Sequence, residues 1–266
     1  MRWKTIATEI ERTATARGRA AGGHFSVEGF RLIERAFSAG VEIESVLIGE
    51  SSVTYADLRA RRLLDQLEKA DVEIVEAPDI GLSHVTEGRE TGAIAALLKL
   101  PKSPSLRSVL PGQGPARVLA AIDVDDPGNL GALIRTALAG GADAFVVTGP
   151  GDPYHPRAVR ISRGSLFRIP VLRISSNDDL LASLAACDME TIAAVTREGR
   201  NVAAVKPGAR ARLAICVGSE AFGLGDSLVK RMDRSVSIPM AKDVDSFSVH
   251  AAAAILLYAL RKPDGT

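Results

Sequence analysis

Short, almost uninterrupted apolar runs separated by helical segments constrain this chain more than any other feature. Residues 117–122, 144–148, 191–195 and 213–217 carry few polar side chains, so strands built from them must be covered on both faces. Residues 129–139 and 178–186 read as helices between those runs, and a long apolar helix is expected over 246–260. Such alternation predicts an α/β fold: a mostly parallel sheet with helices on both faces.

The first hundred residues alternate in the same way. Residues 25–28, 46–48, 72–75 and 93–98 read as strands, and 28–39 and 58–70 as helices, with Gly40 placed to end the first helix. Residues 1–20 read as a short helical extension around Ile6 and Ile10. Residues 101–117 hold four prolines and two glycines and keep no period, which marks a domain boundary. The expected organisation is an extension (1–20), a smaller α/β domain (21–100), a linker (101–116) and a larger domain (117–266).

Charge and composition exclude some functions. Lys and Arg total 33 against 32 Asp and Glu, a net charge of +1, so no whole-molecule basic field marks a simple nucleic-acid coat. Aromatic residues make up only 4%, poor material for a single-strand binder built on stacking platforms. Cys187 and Cys216 stand in apolar surroundings and read as buried thiols. His24, His84, His155 and His250 are scattered without zinc spacing, so no metal is expected. The N-terminal segment lacks a signal-peptide core, and the apolar stretch 249–260 is too short to span a bilayer. A cytoplasmic protein without a membrane partner is the expectation.

Three glycine-marked loops in the second half each follow a strand: 123–143, 217–226 and 237–254. Ligands in open α/β sheets bind beyond the carboxyl ends of strands, where glycine lets backbone approach closely. The first strand leads into Asp126-Pro127-Gly128-Asn129 rather than GxGxxG, and no GxxxxGK[ST] run occurs. A nucleotide-type ligand must therefore be held in another way.

These loops carry a resemblance. Asn129-Leu130-Gly131-Ala132-Leu133-Ile134-Arg135 is similar to the first motif of the SpoU-type (TrmH-like) RNA ribose methyltransferases of the SPOUT superfamily. Val217-Gly218-Ser219-Glu220, continuing to Gly223-Leu224, resembles their second motif, and Ile238-Pro239-Met240 with Ser246-Phe247-Ser248-Val249 their third. The stretch from Arg160 to Pro170 resembles a further family segment. Phe25-Ser26-Val27-Glu28-Gly29, Val85-Thr86 and Gly92-Ala93-Ile94-Ala95 resemble the accessory domain, similar to an RNA-binding ribosomal protein fold; Thr91 stands where members commonly have Gln.

The resemblance implies a deep trefoil knot, a homodimer through the C-terminal domain, and S-adenosylmethionine as cofactor. The implied reaction methylates a ribose 2′-hydroxyl of structured RNA, with rRNA the expected substrate. The alternatives are tRNA, or a non-catalytic RNA-binding paralogue. The implied catalytic residues are Arg135, Asn129, Glu220, Ser246 and Ser248. A free guanidinium has a pKa above about 12, so an orienting and charge-stabilising role for Arg135 is favoured over proton acceptance. Asn129 either caps its helix or contacts substrate. Glu220 fixes Arg135 or favours the cationic sulfonium. Cofactor contacts are expected from Thr148, Gly149, Val217, Gly218, Glu220, Gly223, Leu224, Ile238, Met240, Ser246, Phe247 and Val249. Ser248 departs from the family's usual Asn and offers a shorter hydroxyl in place of an amide.

A neutral whole can still hold basic parts. Arg157, Arg160, Arg163, Arg168 and Arg173 occur between Pro153 and Asn177 without an acid, and Arg17 and Arg19 form a second basic stretch. Arg17, Arg19, Arg157, Arg160, Arg163 and Arg168 are expected to contact RNA phosphates.

Overall fold

The computed structural model describes residues 1–54, 58–83, 85–86, 93–206 and 212–261, so His84, Thr91 and Gly92 lie outside the described residues. The chain divides into two compact units: residues 1–102 with 154–167, and residues 103–153 with 168–266.

The first unit opens with α1 (Arg2–Arg12) and α2 (Ala16–Gly22), followed by β1 (His24–Glu28), α3 (Phe30–Ser38) and β2 (Ile43–Gly49). Next come α4 (Glu50–Thr54), α5 (Leu58–Lys69), β3 (Glu73–Ala77), α6 (Asp79–Ser83) and β4 (Ile94–Lys99). Its sheet has the order β1-β4-β2-β3, in which β4 is antiparallel to both neighbours and β2 runs parallel to β3. Residues 1–20 are no extension. Ile6, Ala7 and Ile10 of α1 are buried in one core cluster with Leu47, Ala95 and Leu97 of the sheet. Burying a side chain the size of Ile contributes about 1.5–3 kcal/mol, which holds the helix to the unit.

The second unit begins with α7 (Leu106–Val109), β5 (Ala116–Ile122), α8 (Pro127–Ala139) and β6 (Ala144–Thr148). After α9 (Pro156–Ser162), which belongs to the first unit, it resumes with β7 (Val171–Arg173), α10 (Asn177–Ala185), β8 (Glu190–Ala194) and β9 (Arg200–Asn201). The chain continues through β10 (Arg212–Val217), α11 (Asp226–Val229), β11 (Arg234–Ser237) and α12 (Val249–Ala259). The seven strands are all parallel, in the order β7-β6-β5-β10-β8-β11-β9. The apolar runs are buried on both faces. Ala116, Val118, Ala120 and Ile122 join a cluster with Leu106, Leu180, Leu184 and Leu228. The alternate residues Leu119 and Ala121 are equally buried on the opposite face, and α8 and α12 pack on each other and on β5 and β10. The proline-rich segment is not a free linker, because Leu106 and Leu110 sit in this core and tie it to the second unit. No helix among the described residues is long and apolar enough to cross a membrane.

Candidate active site

Strands β10, β8 and β11 are neighbours, so the loops at their carboxyl ends meet although they are far apart in sequence. A cavity of about 330 Å³ opens there. Its walls come from residues 194–196 at the end of β8, 217–223 at the end of β10, Val236, Ile238, Met240 and residues 245–247 in and after β11, and Val249, Ala252 and Leu256 of α12.

The turn after β10 is tightly specified. The Ser219 carbonyl accepts the Gly223 N–H at 2.8 Å, and the Ser219 hydroxyl accepts the Phe222 N–H at 3.3 Å. A Cβ on Gly218 would stand 2.1 Å from the backbone C and O of Gly223, so the chain can cross itself here only at glycine. Gly223 turns the chain back at φ +63°, and Leu224 then anchors it in the core.

Glu220 reaches from this turn to the next element. Its carboxylate accepts the Val249 N–H at 3.4 Å, at the start of α12. Ser248, the N-cap residue, makes no side-chain cap bond, so Glu220 supplies the acceptor, and its charge lies where a helix N-terminus favours an anion. The motif-two turn and the motif-three helix are thereby joined through one carboxylate.

Nine of the twelve expected cofactor residues line the cavity: Val217, Gly218, Glu220, Gly223, Ile238, Met240, Ser246, Phe247 and Val249. The other three do not. Leu224 faces the core. Thr148 ends β6 and Gly149 follows it, and β5 separates β6 from β10. The buried Thr148 hydroxyl donates to Asn177 Oδ1 at 2.7 Å, and Gly149 packs against Asp123. Sequence reading missed Val195, Thr196, Phe222 and Asp245 in the walls. Residues 195 and 196 close an expected strand, but only the strand order places them beside β10.

Arg135 and Asn129 lie on α8 and are not among the cavity walls. Arg135 is exposed and has no carboxylate partner among the described residues. Asn129 does not cap α8; Asp126 does, accepting the Asn129 N–H at 2.8 Å, which leaves the half-buried Asn129 side chain without a hydrogen bond among the described residues. Ser246 and Ser248 are both exposed, and only Ser246 contributes to the walls.

The basic residues divide. Arg19 is 3% exposed and its guanidinium donates to the Thr13 carbonyl, so it is an internal clamp and not an RNA contact. Arg17, Arg157 and Arg163 are exposed in the first unit, where Arg160 is half-buried, and Arg168 is exposed in the second. Arg173 lies 3.9 Å from Asp152, an acid outside the arginine-rich stretch read from the sequence. Among the described residues no group of three or more His, Cys, Asp or Glu side chains is placed to hold a metal.

Known proteins resemble this chain over most of its length. Residues 116–258 match the SpoU rRNA methylase family, and residues 8–96 match the MRM3-like substrate binding domain. The chain is 29% identical over 261 residues to 23S rRNA (guanosine(2553)-2'-O)-methyltransferase RlmP of Bacillus subtilis, which covers 97% of this chain and 94% of that protein. It is 28% identical over 245 residues to 23S rRNA (uridine(2479)-2'-O)-methyltransferase of Streptomyces viridochromogenes, covering 90% and 83%. The crystal structure of the SpoU methyltransferase AviRb from Streptomyces viridochromogenes with AdoMet has a TM-score of 0.85 at 24% identity, covering 97% of this chain and 96% of that one. The crystal structure of an RNA 2'-O ribose methyltransferase has a TM-score of 0.79 at 28% identity, covering 95% and 93%.

Proposed function

Because the chain belongs to the SpoU rRNA methylase family, we propose that it transfers a methyl group from S-adenosylmethionine to a ribose 2′-hydroxyl of rRNA. The observation that carries this reading is the cavity at three neighbouring strand ends, whose walls hold the second and third family motifs.

The residues fit the cofactor. The cavity volume lies within the usual range for small-molecule sites, roughly 300–1,000 Å³. Its walls combine the apolar Val217, Ile238, Val249 and Leu256 with the hydroxyl of Ser246 and the carboxylate of Glu220. When bound, S-adenosylmethionine supplies a methyl group on a cationic sulfur. Glu220, an anion that joins the motif-two turn to the start of α12, and Asp245 in the same walls favour a cation in the cavity. The exposed guanidinium of Arg135 orients the target ribose–phosphate and stabilises the negative charge that builds on the 2′-oxygen as its proton passes to water, the methyl–sulfur bond breaking to release S-adenosylhomocysteine. Aligning a weakly nucleophilic hydroxyl in a near-attack geometry supplies much of the rate. We also infer the family's knotted threading, a homodimer through the second unit, and a cytoplasmic location.

The test uses purified protein, tritiated S-adenosylmethionine and unmodified 23S rRNA. The reading expects RNA-bound label, lost in Arg135→Ala while cofactor affinity persists. A second reading, an RNA-binding paralogue without activity, is favoured only by Ser248 in place of the family's Asn. No transfer by the native chain, with none restored by Ser248→Asn, decides for it.

A further inference from the structure

Phe222 is 91% exposed and Phe247 39%, and they reach the same cavity from different loops. The other five phenylalanines are buried or half-buried. Phe222 is held firmly all the same. Its own N–H and that of Gly223 are bonded to Ser219, and Leu224 beyond them is fixed in the core. Little more than two side-chain torsions remain to the ring, so contact with it costs little conformational entropy.

The occupant follows from size and position. The cavity has room for one cofactor-sized molecule but not for a polynucleotide. A ring that is almost wholly exposed encloses little of that space and stands at its mouth. A ribose whose 2′-hydroxyl reaches the cavity keeps its base outside, because the base is bonded to the adjacent ribose carbon. An unpaired base presents a π-face, and proteins that read unpaired RNA or extruded bases stack aromatic side chains on it.

We propose that Phe222 stacks on the base of the nucleotide whose ribose is methylated, and thus binds the RNA substrate and not the cofactor. The inference rests on the methyl-transfer reading above. It also gives the aromatic-poor chain one stacking contact at the place where a single nucleotide must be held.

The test compares Phe222→Ala, Phe222→Leu and Phe222→Trp in the full chain. Steady-state transfer is measured on unmodified 23S rRNA transcribed in vitro, and affinity for S-adenosylhomocysteine by calorimetry. One base–aromatic stack predicts a fall in kcat/KM for RNA of about 5- to 150-fold in the Ala variant, expressed mainly in KM. The Leu variant behaves like Ala, the Trp variant keeps native efficiency, and cofactor affinity is unchanged in all three. Native kcat/KM in Phe222→Ala overturns the proposal, as does Leu performing as well as Trp. A matching loss of S-adenosylhomocysteine affinity assigns the ring to the cofactor and overturns it. So does a change of oligomeric state in gel filtration, which assigns the ring to an interface between copies. If the native protein transfers no methyl to RNA, the functional reading fails and this inference with it; native activity with an unaffected Ala variant overturns the inference alone.

Discussion

Replacing Gly218 by alanine tests the turn that shapes the cavity. A methyl there meets backbone C and O of Gly223 at 2.1 Å and the Leu224 nitrogen at 2.5 Å, and backbone cannot rotate aside as a side chain can. Restoring an ordinary contact of 3.4 Å moves the turn by about 1.3 Å. β10 is locked between β5 and β8, so the displacement falls on the surface turn that carries Glu220 and Phe222. Overpacking of this kind costs about 1–3 kcal/mol, and a shift of about 1 Å at a site costs on the order of 100-fold in rate. Gly218→Ala is thus expected to fold with a modestly lower Tm, and to lose about two orders of magnitude in methyl transfer together with most of its affinity for S-adenosylhomocysteine. Gly225→Ala is the control, because a Cβ there meets nothing within 4 Å and φ is −63°. It should keep native cofactor affinity. Calorimetric titration of both variants is the assay. Native affinity in Gly218→Ala would refute the reasoning, because a turn that absorbs that methyl freely does not define the cavity.

Other expectations follow from single interactions. Asp233 accepts from the Thr191 N–H at 2.8 Å and the Thr191 hydroxyl at 2.7 Å, which holds its carboxyl below the usual carboxylate range. A depressed folded pKa gives stability that is present above the unfolded value, near 3.9 for Asp, and lost as pH falls through the folded value. Thr191→Val should therefore lower Tm at pH 6 more than at pH 2.5; equal losses at both would contradict the linkage. Burial pushes the Cys216 thiol up to about 12, so native protein at pH 8 should leave Cys216 unlabelled by a thiol reagent until denaturant is added. Glu220→Gln removes the anion at the start of α12 and should weaken the helix by roughly 0.3–1 kcal/mol, seen as a small fall in Tm, while cofactor affinity falls further.

Much of this was legible in the sequence because parallel strands buried on both faces leave a continuous apolar signature. The expected runs 144–148 and 213–217 coincide with β6 and β10 to within a residue at each end. The weak elements were not legible. β7 and β9 span three and two residues, too short for any period to register. Residues 1–20 look like an appendage because α1 buries only Ile6, Ala7 and Ile10 fully, with the partly buried Trp3 packed against them. Within the site, glycine and motif spacing pointed to the turn after β10 and the segment before α12. Spacing along the chain carries no information on which strands are neighbours, so it groups Thr148 and Gly149 with the cavity and leaves out Val195 and Thr196. Arg19 misled for a related reason: a basic stretch in sequence does not reveal that one member turns inward to a carbonyl.

Nucleoside analysis of the product tests the central claim most directly. Unmodified 23S rRNA incubated with the protein and methyl-labelled S-adenosylmethionine is digested to nucleosides and resolved by mass spectrometry. The account predicts a single labelled species whose added methyl fragments with the ribose, formed by the native chain and absent with Arg135→Ala. A labelled methyl that fragments with the base, or its appearance undiminished with Arg135→Ala, would contradict it.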